Sequence, residues 1–173
     1  MTGVKLGDSL LHIGCSDPSL LSAIGSKAGL SGRVCAIVRD ASEAARARRG
    51  AEDAGILLEL ESGGSSRFPF DDAAFNLIVV DNQEGALTNL APEDRVALMR
   101  ECFRTLAPRG RAVVIERAAR GDLGALFRPS GAQPADPRYQ ASGGAIAALE
   151  AEGFRVARLL AERQGLSFFE GVR

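Results

Sequence analysis

The chain has one histidine, His12, and no tryptophan, and its three cysteines are scattered at positions 15, 35 and 102 of 173. A single imidazole excludes any multi-histidine metal site, and any His-based triad not built on His12 itself. No CxxC pair and no Cys/His cluster is present, so neither a zinc site nor a disulfide framework is encoded. Free cysteines at such spacing read as buried and reduced. Charge of one sign is also lacking. Lys plus Arg number 21 against 22 Asp plus Glu, for a net charge of -1. A binder of nucleic acid or of a membrane surface would carry a positive excess, so neither is expected as a partner. No apolar run approaches the roughly 20 residues that span a bilayer. The opening Met1-Thr-Gly-Val-Lys-Leu-Gly-Asp has no signal-peptide core. The expected location is the cytoplasm.

What is present is ordinary globular composition, 46% hydrophobic and 25% charged. A chain of this length removes roughly 70% of its unfolded surface from water, enough for one real core. Strand and helix patterns alternate through the first two-thirds. Ser9–Ile13 reads as a buried strand. It is followed by Asp17 as a helix cap, with Pro18 in the first turn, where a missing N–H costs nothing. That helix should run to about Ala28 and stop at Gly29. Further strands are predicted over Arg33–Val38, Ile56–Leu60, Phe75–Val80 and Arg111–Ile115. Helices are predicted over Ser42–Ala54, and from Pro92 through the stripe Val96, Met99, Phe103 and Leu106. Pro108-Arg-Gly110 reads as a turn. Such βα alternation implies a parallel sheet with right-handed crossovers, buried on both faces. The Pro- and Gly-rich stretch 117–142 breaks the rhythm and predicts a long surface insertion, with one helical turn near Leu123–Phe127. A helix over Gly144–Glu152 and strands over Phe154–Leu160 and Leu166–Val172 close the chain, the last two pairing antiparallel at a sheet edge. Residues 1–173 form one domain on this reading, without repeats.

Three segments carry a family resemblance when taken together. They are Phe68-Pro-Phe-Asp-Asp-Ala-Ala-Phe-Asn-Leu-Ile-Val-Val-Asp81, Met99-Arg-Glu-Cys-Phe-Arg-Thr-Leu-Ala-Pro-Arg-Gly-Arg111, and Glu152-Gly-Phe-Arg-Val156. In this order the chain resembles a class I S-adenosylmethionine-dependent methyltransferase of the small-molecule kind (type 11), from Val4 to Val172. The resemblance implies a Rossmann-like three-layer α/β sandwich with a mostly parallel seven-stranded sheet ordered 3-2-1-4-5-7-6 and an antiparallel edge strand. It also implies S-adenosylmethionine as cofactor and a small molecule as methyl acceptor. Cofactor contacts are implied from Gly14, Ser16, Asp40, Ala41, Ser65 and Asp81, with Asp40 on the ribose hydroxyls. No catalytic residue and no metal ligand is singled out.

The cofactor motif departs from the family pattern. Relatives open with an acid followed by G-x-G-x-G, whose glycines let the backbone approach the cofactor while the helix terminus favours its carboxylate. Here the acid position is His12 and the glycine positions are Gly14, Ser16 and Pro18, so one glycine of three is kept. The acid after the third strand, which contacts adenine in many relatives, falls near Gly64. Helices that roof the cofactor in relatives have no counterpart before the first strand. A roof is therefore expected from the 117–142 segment, from a protein partner or second copy, or from nothing at all. An open site would catalyse poorly, since methyl transfer needs a positioned and desolvated displacement.

Single residues admit a plain reading beside the functional one. His12 lies at a strand's carboxyl end, where open α/β sheets bind ligands, yet no neighbour in sequence would orient its ring as a base. Asp81 suits a substrate or cofactor contact, and suits a turn at the end of the fourth strand better. Arg39, Arg46, Arg48 and Arg49 read as a solvated face shared with Glu43, Glu52 and Asp53 rather than a polyanion site. Asp71 and Asp72 read as turn residues. Two functions stay open: an adenosylmethionine-dependent methyltransferase, or a catalytically inactive member of that fold serving as a scaffold or regulatory subunit.

Overall fold

A computed structural model describes residues 3–63, 67–118 and 137–173. The 123–127 turn and most of the 117–142 insertion lie outside the described residues, as do Gly64 and Ser65. The strands are β1 (Ser9–Ile13), β2 (Arg33–Val38), β3 (Leu58–Ser62), β4 (Phe75–Asp81), β5 (Leu106–Arg117), β6 (Arg155–Arg163) and β7 (Leu166–Val172). The helices are α1 (Pro18–Ala28), α2 (Ala41–Ala54), α3 (Pro92–Thr105), α4 (Pro137–Ala141) and α5 (Gly144–Ala151), with a 3-10 turn at Asn82–Glu84 after β4. All seven strands join one sheet in the order β3-β2-β1-β4-β5-β7-β6. β1 to β5 run parallel, and β7 is antiparallel to both β5 and β6. The expected Rossmann-like methyltransferase sheet is what forms.

Period-two alternation divides the strands between two apolar layers. Leu11, Ile13, Cys35, Ile37, Ile78 and Val80 face α3 and α5 and meet Leu98, Met99, Cys102 and Leu149. Leu10, Val34, Val38, Leu77, Val79 and Val113 face α1 and α2 and meet Leu21, Ile24, Ala44 and Ala47. A side chain as fully buried as Leu21 contributes about 1.5–3 kcal/mol by leaving water.

Boundaries shift where backbone groups have other partners. β3 starts two residues later than the apolar run suggests, because Ile56 closes the end of α2. Its N–H donates to the Ala51 carbonyl at 3.1 Å while Gly55 turns left-handed at φ 64°. The turn expected at Pro108–Gly110 is instead an irregularity inside β5. The β4–β5 ladder passes from Phe75↔Leu106 to Leu77↔Arg111, with Arg109 at φ 65°. β6 reaches Arg163, three residues further than expected.

Candidate functional site

The order β3-β2-β1-β4 makes the gap between β1 and β4 the point where connections leave in opposite directions. Ligands of open α/β sheets bind outside the carboxyl ends of the strands at such a point. At this end the chain brings together the β1–α1 turn, the end of β2, the start of α2 and the 3-10 turn after β4.

Gly14 leaves β1 at φ 74°, and its N–H donates to the Ile37 carbonyl at 2.9 Å. A Cβ there would stand 3.1 Å from the Asp81 carbonyl oxygen and 3.3 Å from Ala86 Cβ, so glycine serves both the turn and the close approach. Asp17 caps α1 by accepting from the Ser19 N–H at 2.8 Å, with Pro18 at the helix start, as the sequence predicts. Asp81 is 1% exposed, and its carboxylate is turned inward. Oδ2 accepts from the Ser16 N–H at 2.8 Å and the Ser16 hydroxyl at 2.5 Å, while Oδ1 accepts from the Gln83 N–H at 3.3 Å. Ser16 and Asp81 are thus brought together, but onto each other: the acid braces the two loops that border the switch point.

His12 is fully buried on the α1/α2 face, alternating with Leu11 and Ile13. Its ring is oriented after all, by a neighbour two residues on. Nδ1 lies 2.6 Å from the Gly14 carbonyl oxygen, a contact that needs the Nδ1–H tautomer and leaves Nε2 as a lone pair. Nε2 has no hydrogen-bond partner. Desolvation holds the imidazole below its ordinary pKa of 6.5, against the raising influence of Asp81, the Gly14 carbonyl and Glu43. A neutral ring sealed in the core does not meet substrate.

Asp40 and Ala41 stand at the start of α2, both exposed. Asp40 is the helix cap: its carboxylate accepts from the Glu43 N–H at 2.8 Å, and this bond lowers its pKa. Arg39, not Asp40, reaches the crevice. Glu43, 1% exposed, turns back from α2 so that Oε2 accepts from the Arg39 N–H at 2.8 Å. Its Oε1 takes the guanidinium from Arg39 Nε, at 2.8 Å, and from Nη2. One turn further along α2, Arg46 donates from Nε to the Cys15 carbonyl at 2.5 Å, from Nη1 to the Ser42 hydroxyl at 2.8 Å, and from Nη2 to Glu84 at 3.0 Å. Arg39 Nη1 also reaches the Glu84 carbonyl at 3.4 Å. The sequence signals the Arg39/Glu43 pair through its i,i+4 spacing. No local pattern signals Arg46/Glu84, 38 residues apart.

Among the described residues the crevice holds a cavity of about 50 Å³ walled by Gly14, Ile37, Arg39, Phe68, Ala86 and Leu90. Pockets that bury drug-sized ligands run to roughly 300–1,000 Å³. The Arg39 guanidinium in this wall is already paired with the Glu43 carboxylate. A larger hollow of about 280 Å³ lies between α3 and α5, beside the Tyr139 ring. Tyr139 donates to Glu116 at 2.7 Å, and Glu116 also accepts from Asn82 at 3.0 Å, a buried network tying α4 to the ends of β4 and β5. Among the described residues no cluster of three or more His, Cys, Asp or Glu could hold a metal. No helix among them is long and apolar enough to cross a membrane.

Sheet order and switch point together define a methyltransferase-type α/β domain. A family model described as a methyltransferase domain matches residues 10–110, and the chain belongs to that family. Among solved structures, it is similar to a SAM-dependent methyltransferase from Aquifex aeolicus at 18% identity and a TM-score of 0.73, covering 99% of this chain and 85% of that one. A SAM-dependent methyltransferase from Methanosarcina mazei is 18% identical with a TM-score of 0.64, covering 98% and 94%. PigF, solved with SAH, is 16% identical with a TM-score of 0.63; 96% of this chain aligns with 50% of PigF. At these identities the likeness is one of fold. No curated protein matches.

Proposed function

We propose that this chain is a non-catalytic member of the methyltransferase fold, working as a scaffold or regulatory subunit. The observation that carries the reading is the crevice at the switch point, reduced to about 50 Å³ and walled by Arg39. Two of the groups implied as cofactor contacts are turned onto each other instead, Asp81 accepting from the N–H and hydroxyl of Ser16. On this reading a protein partner or second copy, rather than a methyl acceptor, is the molecule recognised. Three buried free thiols are in keeping with the cytoplasm.

A second reading, an adenosylmethionine-dependent methyltransferase of a small-molecule acceptor, is favoured by one feature. Gly14 keeps the left-handed turn that brings the backbone close at the start of α1.

A thermal melt with and without millimolar adenosylmethionine, or its demethylated product, separates the two. A ligand at about 100 times its dissociation constant adds about 2.7 kcal/mol, or roughly 5–10 °C for a domain of this size. We expect no shift, and a stoichiometric partner on purification. A rise of that size would establish cofactor binding, overturn the scaffold reading and direct work to acceptors.

A further inference from the structure

Among the described residues β6 is the last strand of the sheet, with β7 as its one neighbour. It is nine residues long, and its outer rim of N–H and C=O groups faces away from the sheet. Its ladder with β7 is irregular in two places, between Arg155 and Arg158 and between Leu159 and Ala161. Those irregularities decide which way three arginines point. In a regular strand, spacings of three and five residues would put Arg158 on the opposite face from Arg155 and Arg163. Here the three stand opposite Val172, Glu170 and Leu166, alternate residues of β7 that share one face. That face is the α1/α2 side, since Leu166 packs on that layer while Ala157 packs on the other. The first irregularity holds Val156 at φ 56°, a left-handed conformation that strains a β-branched residue. Bulges re-aim side chains, and this one aligns arginines.

The resulting surface is of one sign. Strands β5, β7 and β6 present Arg111, Arg117, Arg155, Arg158 and Arg163 to that face against a single carboxylate, Glu170. Arg111 and Arg158 share that carboxylate at 3.1 and 3.0 Å. Arg155 and Arg163 are exposed and have no partner among the described residues.

We propose that β6 is a docking edge for an acidic, extended segment of a partner protein, which adds as a strand and sets alternate carboxylates against Arg155 and Arg163. The inference rests on the scaffold reading, whose partner it names. A second copy is the poorer occupant. Two β6 strands paired about a twofold axis normal to the sheet would bring their arginines onto the same face, and like charges across strands destabilise a pair. A nucleic acid carries the charge but lacks the peptide groups that a strand edge pairs with.

The test is fluorescence anisotropy of the full chain with a labelled peptide that alternates Glu with Thr. Binding should appear at low salt and fade as salt screens it. The same peptide with Gln for Glu should bind more weakly, as should the Glu peptide N-methylated throughout, which keeps the charge and loses the ladder. Arg155→Gln/Arg163→Gln should weaken the Glu peptide about fivefold with its melt unchanged. The control Arg48→Gln/Arg49→Gln, which removes two exposed arginines of α2, should not. Hydrogen exchange should slow in β6 on adding the peptide and stay unchanged in β2. If wild type binds the Glu peptide no better than the Gln peptide, the docking edge is overturned. Equal binding of the N-methylated peptide, or of a single-stranded oligonucleotide of the same charge, also overturns it, because charge alone would then explain the result. If the edge fails while adenosylmethionine leaves the melt unmoved, the scaffold reading stands without it. A melt raised by that ligand ends the scaffold reading, and the peptide result then judges the edge by itself.

Discussion

At the scale of single residues, burial decides what each polar side chain can do. His12 stands where relatives carry an acid, and the core around it makes the neutral imidazole the form that folds. In the unfolded chain the ring takes up a proton near pH 6.5, whereas the folded chain resists until lower pH. The unfolded state therefore binds more protons as pH falls below 6.5, and stability present above that value is progressively lost. Urea unfolding should show this decline from about pH 7.5 to about pH 5.5. His12→Leu should flatten it over that window. An equal decline in the variant would place the titrating group elsewhere. Asp81 makes the complementary point. Its position at the end of β4 is legible in the sequence, as is its aptitude for a turn. That Ser16 is the partner follows only from the adjacency of β1 and β4.

At the scale of elements, close approach overrides propensity. Gly50 sits inside α2, where Ala would ordinarily stabilise a helix by about 1 kcal/mol. Here a Cβ would lie 2.5 Å from the Pro18 carbonyl oxygen and 3.3 Å from Leu21 Cβ, both on α1. The two helices cross where no side chain fits. Gly50→Ala should lower stability by about 1–3 kcal/mol, as overpacking does. A melt that rises instead would mean that α1 yields. Elements with strong local signals form as the sequence predicts: the Asp17–Pro18 start of α1, its Gly29 stop, and β7. β3 is the informative miss. Ile56 and Leu57 look like strand by composition, but Ile56 is spent on the helix end and Leu57 is 91% exposed.

At the scale of the whole molecule, the last strand is an interior one. β7 lies between β5 and β6, pairing Arg111–Arg117 on one side and Arg155–Arg163 on the other. Arg173 adds to this by donating to the Arg104 carbonyl at 3.0 Å and by exchanging backbone bonds with Arg109 and Gly110. Removing residues 166–173 would expose one edge of β5 and leave β6 unpaired. Such bare edges pair with other chains. The truncated chain should be insoluble or lack a cooperative melt by circular dichroism. A sharp transition near the wild-type temperature would show that β1–β5 suffice.

The sequence by itself determined the order of strands and helices, the apolar alternation that makes a doubly covered sheet, and the motif order shared with methyltransferases. These are local or periodic properties, and each is written in neighbouring residues. Tertiary structure alone decided the state of the crevice. Glu84 meets Arg46, Asp81 meets Ser16, and Ala86 meets Gly14 across separations no spacing rule links. Whether a carboxylate faces a ligand or its own backbone depends on which loops the sheet order brings within hydrogen-bond reach.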